Sequence, residues 1–365
     1  MKNISRRKFV NNLGMGVATA AAIATLPSFL TIPFVKNKNQ KGKKINIALC
    51  GLGNYANILA RGFKNAEYCN LSGIITGTPS KAEKWKKQYN IPENNIYNYQ
   101  NFDTIIDNKD IDLVYIVLPN SMHKEYTIRA AKAGKHVIVE KPMALNAKDC
   151  EEMITVCKQN KVQLAVGYRL HYEPFHQELM RYGQEKVFGN VRLIEASLGY
   201  RTTDATQWRL KKDLAGGGPL MNIGIYAVQV ARYVLGEEPE SLTAQFGPVT
   251  NNSLFSEVEE SITWQLNFPS GAVANSASSY NCNIDRFYAG AERGFFELSP
   301  ALSYGPFQGR TSNGVLQFPT INQQKAQMDG ISKYIIENKP LPEHIAGIEG
   351  LKDMKIIDAI YAAAK

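Results

Sequence analysis

The chain has 365 residues, 44% of them apolar, which is enough for two packed domains and more than one core usually holds. Its formal charge is +9, but residues 1–44 carry nine Lys and Arg and no acidic residue, so the rest of the chain is formally neutral. That distribution excludes a nucleic-acid interface spread over the globular body, and the ordinary composition excludes a fibre or a disordered chain.

The chain opens with Ser5-Arg6-Arg7-Lys8-Phe9 and an Ala-rich apolar stretch to about Phe34. This pattern predicts a twin-arginine export signal over residues 1–35, and hence a periplasmic or exported protein; an uncleaved membrane anchor is the alternative. A Lys-rich arm follows at residues 36–44. The five cysteines are odd in number and contain no CxxC, so they read as mostly buried thiols. The five histidines show no ligand-like pairing with Cys or carboxylates, and no metal site is expected.

Ile45–Leu49 is a compact apolar run that predicts a strand, followed by a glycine turn and a helix to about Lys64. Strands are expected at Leu71–Thr76, Leu113–Leu118, His136–Val139 and Val162–Val166. Helices are expected at Ser80–Tyr89, Phe102–Asn108, Tyr126–Ala133 and Asp149–Lys158. This alternation predicts a parallel, doubly wound α/β sheet over residues 45–165. Beyond about residue 190 the style changes. Val191–Tyr200, Ser241–Phe246, Ser261–Phe268, Ala272–Ser279 and Gly294–Leu298 read as longer strands, with a helix at Ile223–Leu235. They predict an α+β domain over 166–345 with a mainly antiparallel sheet. Helices are expected at about Gln323–Asn338, within that domain, and at Gly347–Ala364, the latter, within 346–365, packing back on the first domain.

Gly51-Leu52-Gly53-Asn54-Tyr55-Ala56 stands between a strand and a helix, where a dinucleotide-binding fingerprint belongs. Gly51 permits the tight turn, Gly53 a close approach of the pyrophosphate, and Ala56 helix–strand packing, with the helix N-terminus facing the phosphates. The second strand ends in Thr76-Gly77-Thr78-Pro79-Ser80-Lys81, with no carboxylate for a ribose 2′-hydroxyl. Small hydroxyls and a lysine at a helix start suit a 2′-phosphate, hence NADP, although Lys81 also reads as a solvated surface charge. Two later strands end in Leu118-Pro119-Asn120 with His123, and in Glu140-Lys141-Pro142, both at the carboxyl edge where doubly wound sheets bind ligands. Lys141 beside a cationic nicotinamide would have a lowered pKa and could bond the reacting oxygen; a surface ion pair with Glu140 is the alternative. Downstream, Gly216-Gly217-Gly218 precedes a helix that sets Asn222 and Tyr226 four apart on one face. The glycines predict a flexible loop whose backbone can approach a ligand closely, and the helix face offers it an amide and a proton-transferring phenol; a glycine loop with a core tyrosine is the alternative.

Together, the fingerprint, Glu140-Lys141-Pro142 and the Gly-Gly-Gly…Gly-Ile-Tyr segment resemble the Gfo/Idh/MocA oxidoreductases, and within them the glucose–fructose oxidoreductases. Further matching segments are Gly167–Pro174, Gln207-Trp208-Arg209-Leu210 and Tyr233–Pro239, and the likeness spans essentially the whole chain. The resemblance implies a Rossmann domain joined to an open-faced sheet that serves as a homo-oligomer interface. It also implies tightly held NADP and a small sugar oxidised at its anomeric carbon, with a ketose as the second substrate in the namesake. By position it implies Lys141 as the catalytic lysine and Tyr226 as the proton-transfer residue. Arg169, Trp208, Arg209, Asn222 and Tyr304 would line the sugar or cofactor, and Tyr99 the cofactor. The family usually carries Asp where this chain has Asn222. The resemblance leaves a second activity open, a glycosidase using bound nicotinamide cofactor, and Asn222 leaves open a non-catalytic exported sugar sensor.

Overall fold

A computed structural model describes residues 42–364. The predicted twin-arginine segment and most of the basic arm lie outside the described residues. The first unit runs β1 (Ile45–Cys50), α1 (Asn54–Phe63), β2 (Cys69–Ile75), α2 (Pro79–Tyr89), β3 (Ile96–Tyr97), β4 (Leu113–Ile116), α3 (His123–Lys132), β5 (His136–Val139), α4 (Ala147–Gln159) and β6 (Leu164–Val166). Its six strands are all parallel in the order β3-β2-β1-β4-β5-β6, the doubly wound order that reverses beside β1. The strand interiors are apolar because helices cover both faces: every residue of β4 is buried.

The chain continues with α5 (Pro174–Gln184), β7 (Val191–Gly199), α6 (Ile225–Leu235), β8 (Ser241–Phe246), β9 (Ser261–Asn267), β10 (Val273–Ser279), β11 (Ile284–Ala291), β12 (Gly294–Leu298), β13 (Gly309–Thr311), β14 (Gly314–Leu316), α7 (Gln323–Ile336) and α8 (Gly347–Ala363). Eight strands form a second sheet, β14-β13-β12-β11-β7-β10-β9-β8, antiparallel except where β7 meets β10. Along β9, Ile262, Trp264 and Leu266 are buried while Thr263 is exposed and Gln265 partly so, the alternation of a sheet covered on one face.

Four differences from the sequence reading have local causes. Helix α5 was not expected, yet Pro174 occupies its first turn and the Glu173 carboxylate accepts from Phe175 N at 2.7 Å and His176 N at 3.3 Å, a complete N-terminal cap. Strand β11 was also missed, since Arg286 and Gly290 break its apolar alternation; pairing with β7 and β12 holds it in place. The short helix expected at 102–108 is of the tighter 3-10 kind, Phe102–Asp107. Helix α7, placed by sequence within the second domain, packs Met328, Ile331 and Ile336 into the core of the first sheet. Its Asp329 also accepts from the Glu67 and Tyr68 amides at 2.9 and 2.8 Å.

Candidate active site

The β1–α1 turn has the geometry that a dinucleotide requires. Gly51 has φ +97°, and a Cβ there would meet Val117 O at 2.5 Å, so only glycine fits. At Gly53 a Cβ would meet nothing within 4 Å, which leaves open space in front of the helix. No side chain caps the N-terminus of α1, and Ala56 is fully buried beneath it. The first N–H groups of α1 are therefore free to meet an anion. Leu52 is buried at the turn, Asn54 is exposed on the first helical turn, and Tyr55 is half-buried.

At the end of β2, Thr76 is buried; its N–H bonds Tyr97 O at 3.0 Å and its hydroxyl accepts from Thr78 N at 3.3 Å. The Tyr99 ring lies on Gly77, where a Cβ would come within 2.8 Å of it. Helix α2 begins at Pro79 without a side-chain cap, and Ser80 and Lys81 are exposed on its first turn. An uncapped helix start bearing a hydroxyl and an amine, with no carboxylate among them, fits a phosphate on the ribose.

The other strand ends carry a polar cluster. Lys141 Nζ donates to the Asn222 carbonyl at 2.5 Å and sits 4.6 Å from the Tyr226 ring centroid. Burial lowers its pKa, against the pull of Tyr226 and Glu140. Arg169, 2% exposed, lies between two aromatic rings, 4.9 Å from Tyr226 and 4.4 Å from Tyr304. Its guanidinium donates to Ser303 O at 3.0 Å, Leu302 O at 2.9 Å and Gln323 Oε1 at 2.5 Å. Tyr226 is buried, which alone would raise its pKa, but the Arg169 and Lys141 cations outweigh burial and hold the phenol below its usual value. Arg209 stacks on Trp208 at 4.5 Å and donates to Asn222 Oδ1 at 3.3 Å, while Asn222 Nδ2 donates to Tyr200 OH at 3.2 Å.

Several predicted residues sit differently from their expected roles. Glu140 forms no ion pair with Lys141: it turns inward, where Tyr115 OH donates to it at 2.6 Å, and burial pushes its pKa up to about 7. Asn120 also braces the chain: its Nδ2 donates to Ala215 O at 2.9 Å. His123 is buried with each ring nitrogen 2.9 Å from a carbonyl, Pro142 on one side and Leu118 on the other. It clips together the two loops that carry Pro119 and Lys141. The three glycines do not form a flexible loop. A Cβ on Gly217 would overlap Tyr361 OH, and one on Gly218 would overlap the Glu259 backbone. The Glu259 carboxylate accepts from Gly218 N at 2.8 Å, Leu220 N at 3.1 Å and Tyr361 OH at 2.8 Å, which fixes the segment. Asn222 belongs to a π-helical turn, Leu220–Gly224, before α6; its carbonyl, not its amide, meets Lys141. Tyr115, Tyr200, Gln323 and Gln327 were not picked out by sequence. Gln323 and Gln327 were visible only as polar residues on the buried face of α7.

Comparison with known proteins gives this cluster a context. Residues 45–168 match the oxidoreductase family GFO_IDH_MocA, NAD-binding Rossmann fold, and residues 176–297 match a GFO/IDH/MocA C-terminal domain. An aldose-aldose oxidoreductase from Caulobacter crescentus, solved with glycerol, is 40% identical with a TM-score of 0.85, over 88% of this chain and 97% of that one. The D-xylose 1-dehydrogenase [NADP(+)] of Haloarcula marismortui is 27% identical over 338 residues, 88% of this chain and 91% of the relative. A 3-ketoreductase from Actinomadura kijaniata, solved with TDP-benzene and NADP, shares the fold at 19% identity and a TM-score of 0.76, over 88% of this chain and 98% of that one. On the extent and identity of these matches, the chain belongs to the GFO/IDH/MocA oxidoreductase family.

Proposed function

We propose that this protein is an NADP-dependent sugar oxidoreductase that removes a hydride from C1 of an aldose. The observation that carries the reading is the meeting of Lys141 and Arg169 at the Tyr226 ring, with Lys141 held by the carbonyl of Asn222, at the sheet edge that also bears the Gly51–Gly53 turn. The D-xylose dehydrogenase and aldose-aldose oxidoreductase relatives support a sugar as substrate. The uncapped start of α2, without an acidic residue at Thr76, supports NADP over NAD.

When bound, oxidised nicotinamide supplies the hydride acceptor. The chain's own residues manage the proton and the pose. Lys141 donates to the sugar oxygen attached to C1 and holds it beside Tyr226. The Tyr226 oxygen, its ionised form favoured by Arg169 and Lys141, takes the hydroxyl proton as the hydride leaves C1, and the product is a lactone. Asn222 and Arg209, fixed on each other and on Tyr200, orient further sugar hydroxyls. Return of the hydride to a second sugar, a ketose or another aldose, belongs to the same proposal. So do export by the twin-arginine segment and a homo-oligomer formed through the open face of the second sheet.

The test uses protein purified without added nucleotide, with absorbance followed from 300 to 400 nm. A rise near 340 nm on adding glucose or a related aldose, reversed by a second sugar, is the expected result. Bound NADP that no aldose reduces would sink the reading.

A further inference from the structure

Helix α7 reaches the base of this site from the far end of the chain. Gln327 is fully buried there, as is Tyr115 on β4. The Gln327 Nε2 donates to the Tyr115 hydroxyl at 2.6 Å, and that hydroxyl donates to Glu140 Oε1 at 2.6 Å. A phenol carries one proton. While its oxygen accepts from the amide, that proton is aimed at the carboxylate, and the two bonds polarise one another. Gly167 makes room for the arrangement, since a Cβ there would overlap Glu140 and lie 3.1 Å from Tyr115 OH.

We propose that Gln327 is a positioning residue for Glu140, acting through the buried hydroxyl of Tyr115. The inference rests on the proposed function only in taking this sheet edge as the active site. The amide carbonyl of Gln327 has no partner, so the side chain is buried for one hydrogen bond. Burying an unsatisfied polar atom costs stability, and an apolar isostere would fill the same space without that cost. The amide is therefore poorly explained as packing and well explained as a means of keeping Glu140 ionised. Glu140 in turn faces Lys141 on its own loop, Arg169 after β6, Tyr55 on α1, Tyr226 on α6 and the Tyr304 ring, so its charge is felt across the whole site. Burial sets its ionisation at about 7, where a modest change in hydrogen bonding alters its charge under working conditions.

The experiment is a pH titration of the buried carboxyl by difference infrared spectroscopy on the full chain, the band being identified by its loss in Glu140→Gln. The isosteric Gln327→Met should move the midpoint upward by about half to one pH unit, with melting temperature unchanged or raised. Tyr115→Phe should move it further, and the acid limb of NADP⁺ binding should follow both. Gln327→Leu gives the same reading should the Met variant not fold. An unchanged midpoint in a folded Gln327 variant would overturn the proposal. Failure of the wild type to bind NADP⁺ would instead overturn the functional reading, and the infrared midpoint would still decide the role of Gln327.

Discussion

Replacing Arg169 tests the electrostatics of the site most directly. Its guanidinium carbon lies 4.9 Å from the centre of the Tyr226 ring; at an effective dielectric of about 20, a unit charge at that distance contributes about 3 kcal/mol, equivalent to about two pH units. Water entering the vacated space reduces this, so Arg169→Met should displace the titration of Tyr226 upward by about one to two pH units. The sign follows from the phenol's present state: it is held below its usual value, so loss of the cation raises it. If Tyr226 accepts the sugar proton, aldose oxidation depends on the ionised phenol and its rate rises with pH through that titration. The measurement is the pH dependence of NADP⁺ reduction by excess aldose, beside tyrosinate absorbance compared with an Arg169→Met, Tyr226→Phe double variant. Arg169→Lys keeps the charge and should leave the limb near its original place. An unmoved limb in folded, NADP-binding Arg169→Met would refute the account of how Tyr226 is tuned.

Tyr226→Phe should lower kcat about a hundredfold or more while cofactor binding persists, measured as turnover against retained nucleotide. Thr76→Asp should weaken NADP relative to NAD by about tenfold or more through charge repulsion, read from the two dissociation constants. Gly218→Ala should destabilise the protein by about 1–3 kcal/mol, because the new Cβ would overlap the Glu259 backbone, and denaturant midpoints would show it. Asn222→Asp would place a carboxylate beside Arg209 and near Lys141, so the lysine should titrate higher than in the parent. The alkaline side of the activity profile would report that change.

Local signals carried much of the fold. The first sheet was legible because buried parallel strands are short apolar runs between helices, and Gly51 and Gly53 stand where the turn needs them. In the second unit, β9 and β10 showed their alternation, whereas β11 is held by neighbours on both sides and hardly needs a pattern of its own. The cap of α5 at Glu173-Pro174 was written in the sequence and went unread. For the site, Lys141 and Tyr226 stand in motifs and Arg169 is implied by the family resemblance, and the structure brings all three together. Their supports were not legible. Gln323 lies 154 residues from Arg169 and Gln327 lies 212 from Tyr115, and no local spacing announces such pairs. The bonds that Asn120, His123 and Gly218 make within the chain were equally invisible, because their partners, Ala215, Pro142 and Glu259, lie 19 to 95 residues away.

The last helix completes both halves of the molecule. In α8, Asp358 accepts from the Ala147 amide at 2.9 Å, Asp353 accepts from Tyr168 OH at 2.5 Å and Gln229 Nε2 at 2.7 Å, and Tyr361 reaches the Glu259 that fixes the glycine segment. Ribosomal synthesis proceeds from the other end, at about 5–20 residues per second, and units commonly fold as they emerge. Here the strands of the nucleotide-binding unit emerge before α7 and α8, which hold Arg169, Glu140 and the glycine segment in place. The strands of the first sheet can therefore pair before α7 emerges, but their core closes and the site is finished only once these later helices dock. A variant lacking α8 would keep the fingerprint turn and the α7 supports of Arg169 and Glu140, yet lose the Tyr361 contact that helps to fix the glycine segment.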